Sequence, residues 1–255
     1  MSFTFDLSGR KALVTGGGGG IGLATVELMA RAGAVVALNR LPGDAAAAKL
    51  VERLAAEGLS VIDAPGDVSD GAGARDMVET AIAELGGLDY LVNNAATFVT
   101  SEPIPMADLE AIDEGFWSTI LSTNLVGPFR CTRAAASSLR ASRGAVVNVA
   151  STAGLGLPGS SIAYGASKAG LINLTQNLAR ALAPEARVNA VAPGHVVTPW
   201  TDKWPQARRE YAVNKSLLKK VSRPRDIAEV ITFLCAGSEM ITGQTLPVEG
   251  GYLLG

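Results

Sequence analysis

A run of glycines near the start of the chain limits its fold more than any other feature. Thr15-Gly16-Gly17-Gly18-Gly19-Gly20-Ile21-Gly22 follows directly on the apolar run Ala12-Leu13-Val14, and a helical pattern begins at Ile21. Glycines at 16, 20 and 22 fit T-G-x-x-x-G-x-G. Glycine permits a tight turn, lets backbone approach a bound group closely, and lets a helix pack tightly on the preceding strand. Gly17, Gly18 and Gly19 make the run polyglycine, so spacing alone discriminates less than usual. The strand before it and the amphipathic helix after it argue against a flexible surface loop. Amide groups at such a helix start face phosphates, which makes Gly16, Gly19, Gly20, Ile21 and Gly22 candidate contacts for a dinucleotide.

Downstream, short apolar runs alternate with longer helical stretches. Strands are expected at Lys11–Thr15, Ala34–Leu38, Ser60–Ala64, Leu88–Asn93, Ala145–Ala150, Arg187–Ala192 and Thr245–Val248. Helices are expected at Ile21–Ala32, Asp44–Glu57, Ala72–Leu85, Phe116–Ala141 (interrupted at Gly127-Pro128), Tyr164–Leu182 and Arg225–Cys235. Continuous apolar strands separated by helices imply a parallel sheet covered on both faces. Right-handed crossovers then give a Rossmann-like, doubly wound α/β domain of about seven strands. No linker or repeat divides the 255 residues, so 1–255 reads as one domain. Two irregular stretches, 97–113 and 198–222, are long enough to be functional. Both are expected at the carboxyl ends of strands, where such sheets bind ligands.

The bulk properties exclude several classes. A net charge of −2 gives no electrostatic case for nucleic acid or an anionic membrane. No apolar stretch reaches transmembrane length, and Met1-Ser2-Phe3-Thr4-Phe5-Asp6 lacks the pattern of a signal peptide. A cytoplasmic protein is the expectation. Cys131 and Cys235 match no metal spacing and read as small buried apolar side chains; no metal site is expected.

The adenosine ribose of a dinucleotide is usually met by Asp or Glu about 20 residues beyond the glycines when the ligand is NAD. Here the second strand ends Leu38-Asn39-Arg40. A neutral Asn39 does not repel a 2′-phosphate, and a guanidinium binds one through charge-assisted hydrogen bonds. This favours NADP(H), with NAD(H) still admissible if Asn39 takes the ribose hydroxyls and Arg40 is a solvated cation.

Tyr164 and Lys168 lie four residues apart, one helical turn on the same face. Ser151 ends a strand thirteen residues before the tyrosine. Reducing a carbonyl needs a hydride at carbon, which a cofactor supplies, and a proton at oxygen. A free phenol titrates at about 10, too high for proton transfer near neutrality. The Lys168 ammonium, with a positive nicotinamide, is expected to lower it. Ser151 is placed to donate a hydrogen bond to the substrate oxygen as charge builds there. Singly, each of these residues reads more readily as structural; a serine at a strand end is often only a turn cap.

In combination and in this order, the motifs resemble the short-chain dehydrogenase/reductase family, nearly end to end. Beside Thr15–Gly22, Asp67-Val68 resembles the family's adenine-contacting pair. Asn93-Asn94-Ala95-Ala96 resembles N-N-A-G with alanine at the last position, and Asn124 resembles the active-site helix asparagine. Ser151, Tyr164 and Lys168 match the catalytic serine and the Y-x-x-x-K pair. Asn189–Gly194, Val196 and Thr198 match the segment over the nicotinamide, and Gly243-Gln244 and Glu249-Gly250-Gly251 match the last strand, with Glu249 where aspartate is usual. The resemblance implies that Asn94, Ala95, Pro193, Gly194, Val196 and Thr198 contact the cofactor. It also implies that Lys168 holds the ribose hydroxyls and that Asn124 holds a water linking Lys168 to solvent. It further implies a homotetramer, for which Phe129–Ala141, Tyr164–Leu182 and Tyr252-Leu253-Leu254 are interface candidates.

Other residues carry less. His195, the only histidine, is expected to serve through its backbone rather than as an acid. Trp200, Trp204 and Tyr211 suit either an apolar pocket or a subunit contact. Arg208, Arg209, Lys215, Lys219 and Lys220 read first as a solvated helix face and second as an attractor for an anionic substrate. The expectation is an oxidoreductase interconverting a secondary alcohol and a carbonyl, with Ser151 and Tyr164 on the substrate. A 3-oxoacyl thioester reductase and a dinucleotide-sensing regulator without turnover are the alternatives.

Overall fold

The computed structural model describes residues 5–100, 102–198 and 200–255, with Lys203 described by its backbone alone. The Met1–Thr4 end read above for a leader lies outside the described residues, as do Ser101 and Pro199 within the two irregular stretches.

Seven parallel strands form one sheet: β1 (Lys11–Val14), β2 (Val35–Arg40), β3 (Val61–Pro65), β4 (Tyr90–Asn93), β5 (Ala145–Val149), β6 (Arg187–Pro193) and β7 (Thr245–Val248). Their spatial order is β3-β2-β1-β4-β5-β6-β7. The order reverses between β1 and β4, where Val14 pairs with Leu38 on one side and Val92 on the other. That reversal opens a crevice at the carboxyl ends of the strands, the usual ligand position in an open parallel sheet.

Helices α1 (Gly20–Arg31), α2 (Ala45–Ala56), α3 (Gly71–Leu85), α4 (Glu114–Leu121), α5 (Gly127–Ala141), α6 (Ile162–Leu182), α7 (Gln206–Lys215) and α8 (Pro224–Ala236) complete the fold. Local chemistry sets several starts. The carboxylates of Asp44, Asp70 and Asp113 and the hydroxyl of Ser161 accept from the N–H groups of Ala47, Gly73, Phe116 and Tyr164. Alternate residues of the strands feed two cores. Val14, Leu38 and Val147 pack with Met29 of α1 and Ile227 and Ile231 of α8. Leu13, Leu91 and Val146 pack with Met77 of α3, Leu139 of α5 and Leu178 of α6. Both faces are covered, which is why the strands read as continuous apolar runs.

Two expectations need correction. The long helix read as Phe116–Ala141 is interrupted not at Gly127-Pro128 but just before it, by a π turn over Ser122–Val126. Pro128 falls in the first turn of α5, where its missing N–H costs nothing. The stretch 198–222 contains α7, whose mostly polar sequence gives little apolar periodicity to read. Cys131 and Cys235 are buried and unpaired, as expected. Among the described residues no helix is long and apolar enough to cross a membrane.

Candidate active site

The turn from β1 into α1 is built on backbone. Gly16 and Gly20 adopt φ of 63° and 52°, the left-handed region. A methyl at Gly22 would strike the Gly16 carbonyl and come within 2.6 Å of Asn94 Nδ2. The Asn94 amide donates to the carbonyls of Thr15 and Gly16, both at 3.0 Å. Thr15 Oγ1 in turn accepts from the N–H groups of Asn94 and Ala95 at 2.9 and 3.0 Å. These bonds lock the start of α1 to the end of β4 across the crevice. Gly19 precedes α1 in extended backbone, without a side-chain cap, and a methyl there would meet nothing within 4 Å. The first amides of α1 thus have no side-chain partner, beside open space: a cradle that fits a pyrophosphate.

Across the crevice, α6 carries Tyr164 and Lys168. Lys168 is 2% exposed, and its ammonium donates to the Val149 carbonyl at 2.8 Å. It lies 5.7 Å from the centre of the Tyr164 ring. Ser151 lies two residues beyond β5 and caps a short 3-10 turn, Thr152–Leu155, by accepting from the Ala153 N–H at 3.1 Å. That turn packs against α6 so closely that a Cβ at Gly154 would stand 2.6 Å from the Lys168 carbonyl carbon. Ser151, Tyr164 and Lys168 line the same cavity as Gly16, Gly19 and Gly20, a space of about 1260 Å³. After β6, Thr198 reaches back over the turn, its Cγ2 lying 3.4 Å from where a Gly20 methyl would be.

A family model described as "Enoyl-(Acyl carrier protein) reductase" matches residues 17–253. A granaticin polyketide synthase putative ketoacyl reductase 2 from Streptomyces violaceoruber is 39% identical over 243 residues, 94% of each chain. The 3-oxoacyl-[acyl-carrier-protein] reductase FabG of Thermotoga maritima is 36% identical over 97% of this chain and 99% of that one. The crystal structure of a putative short-chain dehydrogenase/reductase from Burkholderia xenovorans superposes with a TM-score of 0.87 at 38% identity, over 96% and 98% of the two chains. The chain belongs to the short-chain dehydrogenase/reductase family. Membership makes it an oxidoreductase and implies a nicotinamide dinucleotide as its redox partner.

Most residues expected to meet that dinucleotide line the cavity of this short-chain dehydrogenase/reductase: Ile21, Asn39, Arg40, Asp67, Val68, Asn94, Ala95, Pro193, Gly194, Val196 and Thr198. Gly22 does not; it is the point of helix–strand packing. Like Asn94, the lining side chains of Asn39 and Arg40 are already engaged. Asn39, a ribose ligand in the NAD(H) alternative, is 2% exposed; it accepts from the Gly16 N–H and donates to the carbonyls of Ala64 and Gly66, each at 3.0 Å. It staples the glycine turn to β3. Arg40, expected to bind a 2′-phosphate, forms a bidentate pair with Asp63 at 2.8 and 2.6 Å and donates to the carbonyls of Leu41 and Pro42. Its bonds to Asp63 raise its pKa, so the charge at this corner belongs to the pair. Asp63 lies on β3, 23 residues away, and neighbouring sequence gave no sign of it.

Burial pushes the Tyr164 phenol up to about 12, opposed by hydrogen bonding with Ser151. Lys168 is itself pulled down to about 8 by burial, and its ammonium donates to a neutral carbonyl. Asn124 sits in the π turn, fully buried. Its Oδ1 accepts from the Thr97 N–H at 2.8 Å, and its Nδ2 donates to the Thr97 carbonyl at 3.0 Å and to Ser167 Oγ at 3.4 Å. These bonds tie the Thr97 backbone to Ser167 on α6.

A chain of three rings leads away from the phenol. Phe98 lies 5.2 Å from Tyr164 and stacks on Trp200 at 3.6 Å, which meets Trp204 edge to face at 4.8 Å. His195 packs against Trp204 and lines the cavity. Tyr211 is 57% exposed, packs edge to face on Tyr252 and also lines the cavity. Phe98 was not singled out from the sequence; its position between the N-N-A-A turn and the pocket rim was the available signal.

Proposed function

We propose that the protein interconverts a secondary alcohol and a carbonyl, with a nicotinamide dinucleotide as redox partner. The observation that carries this is that Tyr164, Lys168 and Ser151 share one cavity with the glycine turn. When bound, the dinucleotide supplies or accepts the hydride. Tyr164 gives the proton to the carbonyl oxygen, or takes it from the alcohol. Ser151 donates a hydrogen bond to that oxygen as negative charge develops. Lys168 spends one of its three N–H groups on Val149 and keeps two for the ribose hydroxyls and the phenolate. Gly16, Gly19, Gly20 and Ile21 hold the pyrophosphate, Asp67 and Val68 flank the adenine, and Pro193, Gly194, Val196 and Thr198 cover the nicotinamide. Asn124 is a positioning residue that ties the Thr97 backbone to α6.

Arg40 favours NADP(H), and Asp63 limits that preference, since a 2′-phosphate competes for a guanidinium already held at two nitrogens. The relatives named as ketoacyl and 3-oxoacyl reductases support 3-oxoacyl thioesters as a second substrate class beside simple ketones. Exposed Phe129 on α5, Ile162 on α6 and Leu254 support assembly as a homotetramer, which sedimentation would test.

Tyr164→Phe tests the central assignment. Turnover on a panel of ketones and 3-oxoacyl thioesters should fall by about a thousandfold, with Kd for the dinucleotide within about threefold of wild type. Joint loss of dinucleotide binding and turnover would make the tyrosine structural. Near-wild-type turnover would remove it from the chemistry.

A further inference from the structure

The substrate side of the cavity contains a cation with no counter-charge. Arg208, in the first turn of α7, lines the cavity with its guanidinium 4.0 Å over the Trp204 ring. Among the described residues no carboxylate or carbonyl receives it. The other partly buried arginines differ: Arg40 has Asp63, Arg130 the Ser69 carbonyl, and Arg187 the carbonyls of Leu234 and Cys235. Burial pulls the Arg208 pKa down, with Tyr252 a smaller opposing influence.

The surroundings have the same sign. Of the described lining residues, the two carboxylates, Asp44 and Asp67, belong to the dinucleotide side, next to α2 and β3. The substrate side adds Lys215 to Arg208 and has no carboxylate. The nearby Asp202 acts on His195 but is exposed. Trp200 Nε1 and Trp204 Nε1 are buried without acceptors, as is His195 Nδ1. An indole N–H can only donate, and a buried donor without an acceptor loses its hydration for nothing in return. A neutral apolar substrate would leave all of these groups unmatched.

Deepening the carbonyl–alcohol reading, on which it rests, we propose that the substrate carries an anionic oxygen group, a carboxylate or a phosphate, received by Arg208 with Trp200 and Trp204 as neighbouring donors. The chain of contacts from Tyr164 through Phe98, Trp200 and Trp204 to Arg208 sets the acid several bonds away from the reacting carbon. An oxo acid with its carboxylate remote from the ketone meets this requirement, as does a 3-oxoacyl thioester with a phosphate on its carrier arm.

The test compares charged and neutral partners of one skeleton. Methyl ketones ending in a carboxylate, in a series of chain lengths, are assayed against their methyl esters, and acetoacetyl-CoA against the phosphate-free acetoacetyl-N-acetylcysteamine. Wild type should prefer the charged member of one pair by about tenfold or more in kcat/KM. Arg208→Ala should collapse that ratio through KM, and Arg208→Lys should keep part of it. The pair that responds identifies carboxylate or phosphate. Equal losses on charged and neutral members, or no charge preference in either series, would overturn the proposal. Tryptophan fluorescence titrations of the same anions into the Tyr164→Phe protein give a readout without turnover. Arg208-dependent binding with no ketone reduced by wild type would sink the carbonyl reading and keep the anion site. Turnover without charge discrimination would do the reverse.

Discussion

The two sides of the cavity are built on opposite terms. On the dinucleotide side, polar side chains are already spent within the protein: Asn94 on the backbone of Thr15 and Gly16, Asn39 on the backbone of Gly16, Ala64 and Gly66, and Arg40 on the carboxylate of Asp63. What remains there for a ligand is mainly main-chain amide and open space. On the substrate side, buried donors and a cation lack partners, and aromatic rings stack on one another beside the phenol. A rigid cradle suits a ligand of fixed shape. A face with unmatched donors is completed by its own substrate.

The largest expected effect tests the rigid side. Gly22→Ala forces a methyl against the Gly16 carbonyl and Asn94, and should cost about 3 kcal/mol or more, read as a fall in Tm of about 6 °C or more. Gly19→Ala enters open space. It should leave stability within about 0.5 kcal/mol while weakening dinucleotide binding by about tenfold, as the methyl fills the cradle. Equal stability losses for the two variants would mean that the cradle is not preformed.

The next effect concerns the corner between α2 and β3. Asp63→Asn removes the carboxylate from Arg40, and should raise the affinity for NADPH relative to NADH by about tenfold. An unchanged ratio would show that the pair does not limit phosphate binding.

This difference between the two sides also accounts for what the sequence made legible. The glycine turn, the strand and helix alternation of a doubly wound sheet, and the spacing of Ser151, Tyr164 and Lys168 could be read because each depends on local conformation or helical spacing. The partner of Arg40 could not, because it comes from another strand and only register brings it there. The π turn at Asn124 was missed because no residue type marks it in advance, and α7 because its polar sequence carries little periodicity. Arg208 was visible as a basic residue, but whether it was solvated or enclosed depended on how Trp204 packs.

Proton linkage separates Lys168 from its surroundings. Its pKa lies at about 8 in the folded chain, against an ordinary 10.5. Between those values the unfolded chain holds more protons, so this group makes stability rise with pH. Tyr164, Cys131 and Cys235 are shifted upward and act in the opposite direction at higher pH, equally in wild type and in a Lys168→Met variant. The stability of wild type relative to that variant should therefore increase by about 1 kcal/mol from pH 8 to pH 9. A flat difference would mean that the buried ammonium keeps its ordinary pKa.

The smallest effect returns to the rim. Val99, beside Phe98, adopts φ of 64°, a conformation costly for a β-branched residue and better tolerated by Asn. It is 49% exposed, so the strain is not offset by burial of the side chain. Val99→Asn should stabilise the fold by about 1 kcal/mol or less, raising Tm by no more than about 4 °C. If KM for the substrate rises in the same variant while dinucleotide Kd is unchanged, the strained turn serves to hold Phe98 over the phenol. If Tm falls, the valine is making contacts that outweigh its backbone, and the substrate side is better consolidated than its unpartnered donors indicate.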